Sequence, residues 1–428
     1  MSVPTASPKA PPVGRRRRRT WPKALRGRNF RLWYAGQTLS VFGTEMVPVA
    51  LTFAVLGRYH TAGAVGTVLT AETAPMVLLL LVGGVAADRV SRRSLLFGTD
   101  VVSAATQAVA ALLLFWGHWQ LWQLAVVFAV QGGATGLASP ALLGMVADTV
   151  PEPHRHQANS LRTISMAAGG VAGPALAGVI AGFGSGGLAL AVNAATYAAS
   201  AACLAAMTAS APAGHEGGGS YLRDLQQGWR EFRSRAWVWS IVAQFGVFHL
   251  LVLPPVLVLG AVVSDDHLGG AAAWGATLGA FGLGSVAGGL AMLRWHPRRP
   301  LLTAVLLASV FTVLCCSLAL VLAEPWQVVT GLVAGASFSV FDVLWNTALT
   351  THIPPQLLSR VSAYDWFGSI ALLPIGYAIV GPLSVWLGVR TTLWLAAGLW
   401  LVLSALVLLV REVRDMPSLE PAGDGPVT

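Results

Sequence analysis

Residues 84–93 read Gly84-Val85-Ala86-Ala87-Asp88-Arg89-Val90-Ser91-Arg92-Arg93, four charges packed between two long apolar runs. The run before them, about 64–87, and the run after, about 94–116, each carry the roughly 20 apolar residues that cross a ~30 Å hydrocarbon layer. A charged connector this short, set between two such runs, is a membrane loop whose flanking helices end on one face. The same pattern recurs outward in both directions. Apolar runs occupy about 33–57, 64–87, 94–116, 119–147, 158–182, 186–208, 236–262, 270–293, 301–322, 326–350, 361–386 and 390–410, twelve in all. Composition makes the same demand: 55% of the 428 residues are hydrophobic, 11% are charged, and mean hydropathy is +0.66. A globular domain carries about 25% charged residues, so this apolar surface has to face lipid. Disorder is excluded by the same numbers, and a disulfide scaffold by Cys203, Cys315 and Cys316, which all lie within apolar runs. The first run is expected to be a span and not a cleaved signal, because it is longer than a signal's apolar core and follows a polar tail.

Twelve spans place both ends on one side. Every Lys and Arg except Arg58 and Arg390 falls in a tail or connector on that side, which predicts a multi-pass cell-membrane protein with both termini cytoplasmic. The net charge of +9 and the Arg15–Arg19 run therefore read as topology signals near anionic lipid, with no nucleic acid partner. The expected organisation is a basic cytoplasmic tail (1–32), a six-helix bundle (33–208), a cytoplasmic linker (209–235), a second six-helix bundle (236–411) and a cytoplasmic tail (412–428). In the linker, Leu222, Leu225, Trp229 and Phe232 recur at helical spacing between charges, which predicts an amphipathic helix lying on the inner membrane surface. The two halves repeat: Gly84, Arg89 and Arg93 recur as Gly289, Arg294 and Arg298, with Leu293 where Asp88 stands, and Pro151 has a counterpart in Pro354. The fold class read from this is an all-α membrane protein, twelve transmembrane helices in two pseudo-symmetric halves. Parallel repeats of this kind place a substrate site near the midplane between them.

Asp88 and Arg92 sit at i and i+4 at the inner end of a helix, where a carboxylate can face the positive end of a neighbouring helix. Arg92 is within reach of Asp148, the acid at the inner end of span four. Gly173 followed by Pro174 is expected to bend span five, and the small residues at 169, 170, 173, 177 and 178 allow close helix approach. Acids inside the bilayer cost a few kcal/mol on insertion scales and face the bundle interior or water. Glu45 lies about 18 Å into span one at 1.5 Å per residue, near the midplane. Glu72 is closer to the outer end of span two, Asp100 one to two turns into span three, Asp342 in the inner half of span ten and Asp365 near the inner start of span eleven. No Lys or Arg shares their depth, since Arg162 sits near the cytoplasmic end. A carboxyl that holds a proton when enclosed and releases it to water meets the requirement for proton coupling. Glu45 and Glu72 lead, followed by Asp342 and Asp100; the alternative for each is a neutral acid hydrogen-bonded to a neighbouring helix. Gln131, Asn193, Gln244, His249, Phe341, Trp345 and Asn346 are candidates to line the same cavity, although a lone polar group more often joins two helices, at about 0.6 kcal/mol. Trp33, Trp116, Trp119, Trp122 and Trp326 fall at span ends and read as interface anchors.

The loop Gly84–Arg93 resembles the loop signature of the major facilitator superfamily. Gly169-Gly170-Val171-Ala172-Gly173-Pro174-Ala175-Leu176-Ala177-Gly178 is similar to the antiporter motif of its drug and proton exchangers, with Ala177 in place of a glycine. Leu124, Gln131 and Gly132 are similar to its proton-coupling motif, except that Phe128 stands where that motif has arginine. Arg28-Asn29-Phe30-Arg31-Leu32-Trp33 with Gly36-Gln37, and Ala147-Asp148-Thr149-Val150-Pro151, look like the bacterial drug and siderophore efflux branch that includes the enterobactin exporter and macrolide efflux pumps. The resemblance covers residues 28–411. It implies the major facilitator fold and alternating access, with a cytoplasmic latch at Gly84, Asp88, Arg89, Arg92, Arg93, Asp148 and Asp365. It also implies a bending motif at Gly169, Gly173, Pro174 and Gly178. The function expected is export of an amphiphilic small molecule (drug, antibiotic or siderophore type) by a monomer in the lipid bilayer, exchanging it for protons, with no cofactor or metal. A proton-coupled importer or facilitator of a small metabolite stays open. A membrane-bound enzyme is disfavoured, because the sequence carries no metal-ligand cluster and no nucleophile and base pattern.

Overall fold

Inside a bilayer every backbone N–H and C=O needs a partner within its own segment or a closed sheet, so apolar runs of this length fold as helices. A computed structural model describes residues 23–182, 186–208 and 221–417. The Arg15–Arg19 run and the first part of the linker lie outside the described residues. The first six helices are α1 (Arg28–Tyr59), α2 (Ala62–Arg89), α3 (Arg92–Trp116), α4 (Leu121–Thr149), α5 (Arg155–Gly182) and α6 (Gly186–Ala205). The linker helix α7 (Tyr221–Ser234) is followed by α8 (Ala236–Leu251), which passes through a π turn at Pro255–Leu259 into α9 (Gly260–His267). Next come α10 (Gly270–Ala291), α11 (Pro300–Ser309) and α12 (Thr312–Ala319), then α13 (Glu324–His352). The chain closes with α14 (Pro355–Ile370), α15 (Leu373–Leu387), α16 (Val389–Val407) and α17 (Arg411–Asp415).

Among the described residues eleven spans are long and apolar enough to cross a membrane, α8–α9, α11–α12 and α14–α15 each counting once. The twelfth apolar run is α10, whose 22 residues, about 33 Å, suffice in length. Its seven glycines lower its mean hydropathy. The halves are built alike. In the first, α1 packs on α5 and α6, α2 on α4, and α3 on α4 and α6; in the second, α10 and α11 pack on α13, α12 on α16, and α8 on α14.

The halves meet along α5–α10 and α2–α15. Gly63 lies against Gly381, Gly66 against the Tyr377 carbonyl, and the Thr70 hydroxyl donates to the Pro374 carbonyl at 3.3 Å. On the other pair, Gly178 meets Ala271 and Gly275, and Gly170 meets Gly282. These contacts run from the end remote from the termini to the middle of the helices. Both described chain ends sit at the opposite end, where Ala24 N–H bonds Gln157 at 3.0 Å and Trp237 N–H bonds Glu412 at 3.1 Å. The cleft between the halves therefore opens toward the side that carries the termini.

Trp229 and Phe232 of the linker helix lie against Tyr364 of α14, ring centroids 5.4 and 5.9 Å apart. The edge they form finds a protein partner, and Trp229 is left half exposed. Trp33 and Trp119 are buried and not interface anchors. Trp33 packs on Phe30 at 5.7 Å, and Trp119 sits beside Tyr59 beneath the Arg58 guanidinium.

Candidate functional site

Ser91 caps α3 by accepting the Ser94 N–H at 3.2 Å, and this turn aims the next two arginines in different directions. Arg92 Nη1 meets Asp148 Oδ1 at 2.6 Å and the Gly144 carbonyl at 3.3 Å. A side chain at 144 would collide with the guanidinium, so the glycine makes the pairing possible. Arg93 donates to the Leu204 and Ala205 carbonyls at 2.7 and 2.8 Å, capping the last turn of α6. Arg92 thus ties α3 to α4 and Arg93 ties α3 to α6, all within the first half. The Arg92–Asp148 side chains are about a quarter exposed, so the pair contributes less than about 1 kcal/mol and matters chiefly as a brace. The side chains of Asp88 and Arg89 and the surroundings of Gly84 lie outside the described residues. Asp365 is far along the chain's other half, where its carboxylate accepts the Trp345 indole N–H at 3.2 Å.

Helix α5 is wedged between α1 and α10. Gly169 faces Val41, and Gly173 faces Glu45 so closely that any β carbon at 173 would overlap the Glu45 backbone and Cβ. On its other face, the Pro174 carbonyl and Gly178 lie on Gly275, and Gly170 on Gly282. The small residues of span five serve two neighbours at once, one carrying an intramembrane acid and the other belonging to the opposite half. Pro174 is accommodated within a continuous helix.

Beside this wedge, α1, α3, α4 and α6 line a partly open cavity of about 160 Å³, and Glu45 and Asp100 are both on its walls. Gln37, Ser40 and Thr44 line it from α1, Thr99 and Ser103 from α3, Thr135 and Ser139 from α4, and Tyr197 from α6. The Thr44 hydroxyl donates to Tyr197 Oη at 3.0 Å, and Ser200 is within hydrogen-bond reach of Asp100. No Lys or Arg lines the cavity. Among the described residues no group of three or more His, Cys, Asp and Glu is placed to hold a metal ion. The hydroxyl lining was not singled out from the sequence, although a signal was present: Gln37, Ser40, Thr44 and Glu45 form a polar stripe at helical period, as do Thr99, Asp100 and Ser103.

The remaining candidates disperse. Glu72 is half-buried on α2, its carbonyl against Gly132 of α4, outside the cavity lining. Asp342 is exposed on α13, where Asn346 Nδ2 donates to its carboxylate at 3.0 Å. Gln131 is buried and accepts the Thr106 hydroxyl at 2.7 Å, so it joins α4 to α3. Asn193 is buried against Gly43, and Gln244 donates to Ser404 at 3.0 Å inside the second half. His249 Nδ1 bonds the Phe245 carbonyl at 2.8 Å. Phe341 stacks on Phe245 at 4.6 Å and Trp345 on Phe341 at 6.4 Å, members of an aromatic core with Phe248 and Trp400. Gln131, Asn193, Gln244, Phe341 and Trp345 therefore sit within packed interiors and not on the acid-bearing cavity, because a buried amide is satisfied more readily by a neighbouring helix. Phe128 is fully buried, an apolar core position.

The family model for the Major Facilitator Superfamily matches residues 33–370. Macrolide efflux protein A of Streptococcus pyogenes is 22% identical over 403 residues, 90% of this chain and 96% of that protein. The multidrug efflux pump Tap of Mycobacterium tuberculosis is 26% identical over 420 residues, 93% of this chain and 97% of that protein. The crystal structure of the nucleoside transporter NupG (D323A mutant) superposes with a TM-score of 0.70 at 12% identity, covering 89% of this chain and 99% of that one, a likeness of fold.

Proposed function

The chain belongs to the Major Facilitator Superfamily, and on that footing we propose that it exports an amphiphilic small molecule across the cytoplasmic membrane by alternating access, in exchange for protons. The observation that carries this reading is the position of Glu45, which lines the cavity and at the same time packs on Gly173 of α5. The far face of α5 is the surface on which the second half closes. A proton gained or lost at Glu45 thus acts on the helix that links the two halves, which is what an antiporter requires: occupancy on one side of the mechanism has to bias closure on the other. Asp100, in the same cavity, is the second carboxyl available to the exchange. Glu72 and Asp342 are reserve candidates. Both relatives are efflux proteins, one for macrolides and one for multiple drugs, and this supports outward transport. In this reading the termini and the Arg92–Asp148 brace are cytoplasmic, the protein acts as a monomer, and the loop residues Gly84, Asp88, Arg89 and Arg93 set how the inner side closes.

The test is Glu45→Gln in proteoliposomes, a substitution that keeps shape and hydrogen bonding and removes the titratable proton. The variant is expected to retain substrate counterflow, which moves no net proton, and to lose accumulation driven by a pH gradient. Gradient-driven accumulation that survives in the variant refutes the role of Glu45. A wild type that ignores the gradient refutes antiport.

A further inference from the structure

Spans five and eleven are copies of one another in register. The offset of 203 residues that carries Pro151 to Pro354 also carries Gly173 to Gly376 and Gly178 to Gly381. Their surroundings correspond. Gly173 is seated on Glu45 of α1, and Gly376 on the His249 and Leu250 carbonyls of α8; Gly178 lies on Ala271 and Gly275 of α10, and Gly381 on Gly63 of α2. A pseudo-twofold axis between the halves therefore maps α5 onto α14 and α15 residue by residue. The same offset carries Arg162 to Asp365. Each lies eleven residues beyond its proline, roughly 16 Å along at 1.5 Å per residue. Arg162 is thus not set apart by depth from every intramembrane acid, as the spans alone suggested: it is level with Asp365, across the cleft. Helical spacing (i, i+7, i+11) puts it in one row with Gly169 and Gly173, which face α1, and away from the exposed Ile164.

Both charges are uncompensated. Arg162 is half-buried and makes no hydrogen bond or ion pair among the described residues. The Asp365 carboxylate, also half-buried, accepts the Trp345 indole N–H at 3.2 Å, and the charged group acting on it is a second acid, Asp342. An open cleft lets water solvate such groups. Closing the cleft on this side expels that water, and a lone guanidinium or carboxylate left inside is strongly penalised.

We propose that Arg162 and Asp365 form an ion pair across the two halves when the cytoplasmic side closes, and that this pair permits the closure. The proposal rests on the alternating-access reading above. Rocking about the pseudo-twofold axis moves equivalent points toward the axis together, so a faithful repeat, Arg with Arg or Asp with Asp, would set like charges against each other. The repeat instead inverts the charge. The guanidinium carries five N–H donors in a planar fork, enough to engage Asp365 and leave its bond to Trp345 in place. The Arg92–Asp148 brace lies within one half and survives rocking unchanged, whereas this pair exists in one conformation and so biases the equilibrium. Arg162 acts as a positioning residue, through the conformation it stabilises.

The experiment measures the distance between spin labels at His156→Cys and Thr351→Cys, exposed positions at the inner ends of α5 and α13. It uses the full-length protein in lipid nanodiscs, with the native cysteines replaced. Gly282→Ala, whose β carbon would lie 2.6 Å from the Gly170 carbonyl oxygen, weakens closure of the opposite side and supplies the background. In that background the short-distance population is expected to fall at least fivefold in Arg162→Gln, in Asp365→Asn and in Arg162→Asp. Exchanging the charges, Arg162→Asp with Asp365→Arg, is expected to restore it to within twofold. Asp365→Asn keeps an acceptor for the Trp345 indole, so its effect isolates the charge, and the neutral variants decide should the exchange fail to fold. A short-distance population unchanged in the folded neutral variants, or an exchange no better than Arg162→Asp alone, overturns the pair and leaves alternating access standing. Inner ends that never approach in the wild type or in Gly282→Ala overturn both.

Discussion

Closure of the cleft on the side remote from the termini depends on backbone-to-backbone contact between α5 and α10, and Gly282→Ala tests it. A β carbon at 282 would lie 2.6 Å from the Gly170 carbonyl oxygen and 2.9 Å from Val171 Cα, where 3.4 Å begins ordinary contact. The atoms in the way are main chain, so no rotamer change relieves the overlap and the helices have to separate by roughly 0.8 Å or distort. Overpacking of this kind costs about 1–3 kcal/mol. Alanine's better helix propensity stabilises α10 equally in every conformation and drops out of the comparison. The penalty falls only on the state in which α5 and α10 touch at this depth, so the equilibrium should move away from that state by about 5- to 150-fold. Spin labels at His118→Cys and Trp386→Cys, in a background with the native cysteines replaced, would report the separation of the two halves at that end. We expect a longer-distance population to grow in Gly282→Ala. Gly398→Ala, whose β carbon meets nothing within 4 Å, serves as the control. A distance distribution indistinguishable from the control would refute the view that this glycine contact sets closure.

Further outcomes follow from the same geometry. Gly173→Ala, whose added carbon overlaps Glu45, should abolish transport at normal expression, whereas Gly170→Ala, three residues away with open space around its β carbon, should transport normally; the paired uptake assay decides. Arg93→Met removes two charge-assisted bonds to the end of α6 and should cost about 1–3 kcal/mol, while Arg92→Met should cost under about 1 kcal/mol, both read by thermal unfolding in detergent. A reporter active only outside the cytoplasm, fused after Asp415, should be silent, and activity there would overturn the orientation.

The number and placement of the helices were legible in the chain because hydrophobic length is a local property: a run of about 20 apolar residues has one low-energy solution in lipid whatever its neighbours do. The two-half organisation was legible for a similar reason, since Gly84, Arg89 and Arg93 recur at a constant offset as Gly289, Arg294 and Arg298. The reach of Arg92 to Asp148 could also be read, because both lie at the same end of adjacent spans. Depth along a helix is likewise local, which is why Glu45 and Asp100 were marked. Azimuth was not. Which way a polar side chain points is decided by the partners its helix acquires, so Gln131, Asn193 and Gln244, equal to the acids in depth, turn into packed interiors and join helices. The hydroxyls of Thr44, Thr135 and Ser139 gather around the acids to form a cavity. The bond from Thr44 to Tyr197 of α6 is likewise a tertiary outcome, whereas Thr135 and Ser139 donate to the carbonyls four residues back on their own helix. The double use of the span-five glycines is tertiary too. The sequence marks them as small, and only the packed structure decides that one face receives Glu45 and the other the opposite half, because close approach is a property of two surfaces and not of one.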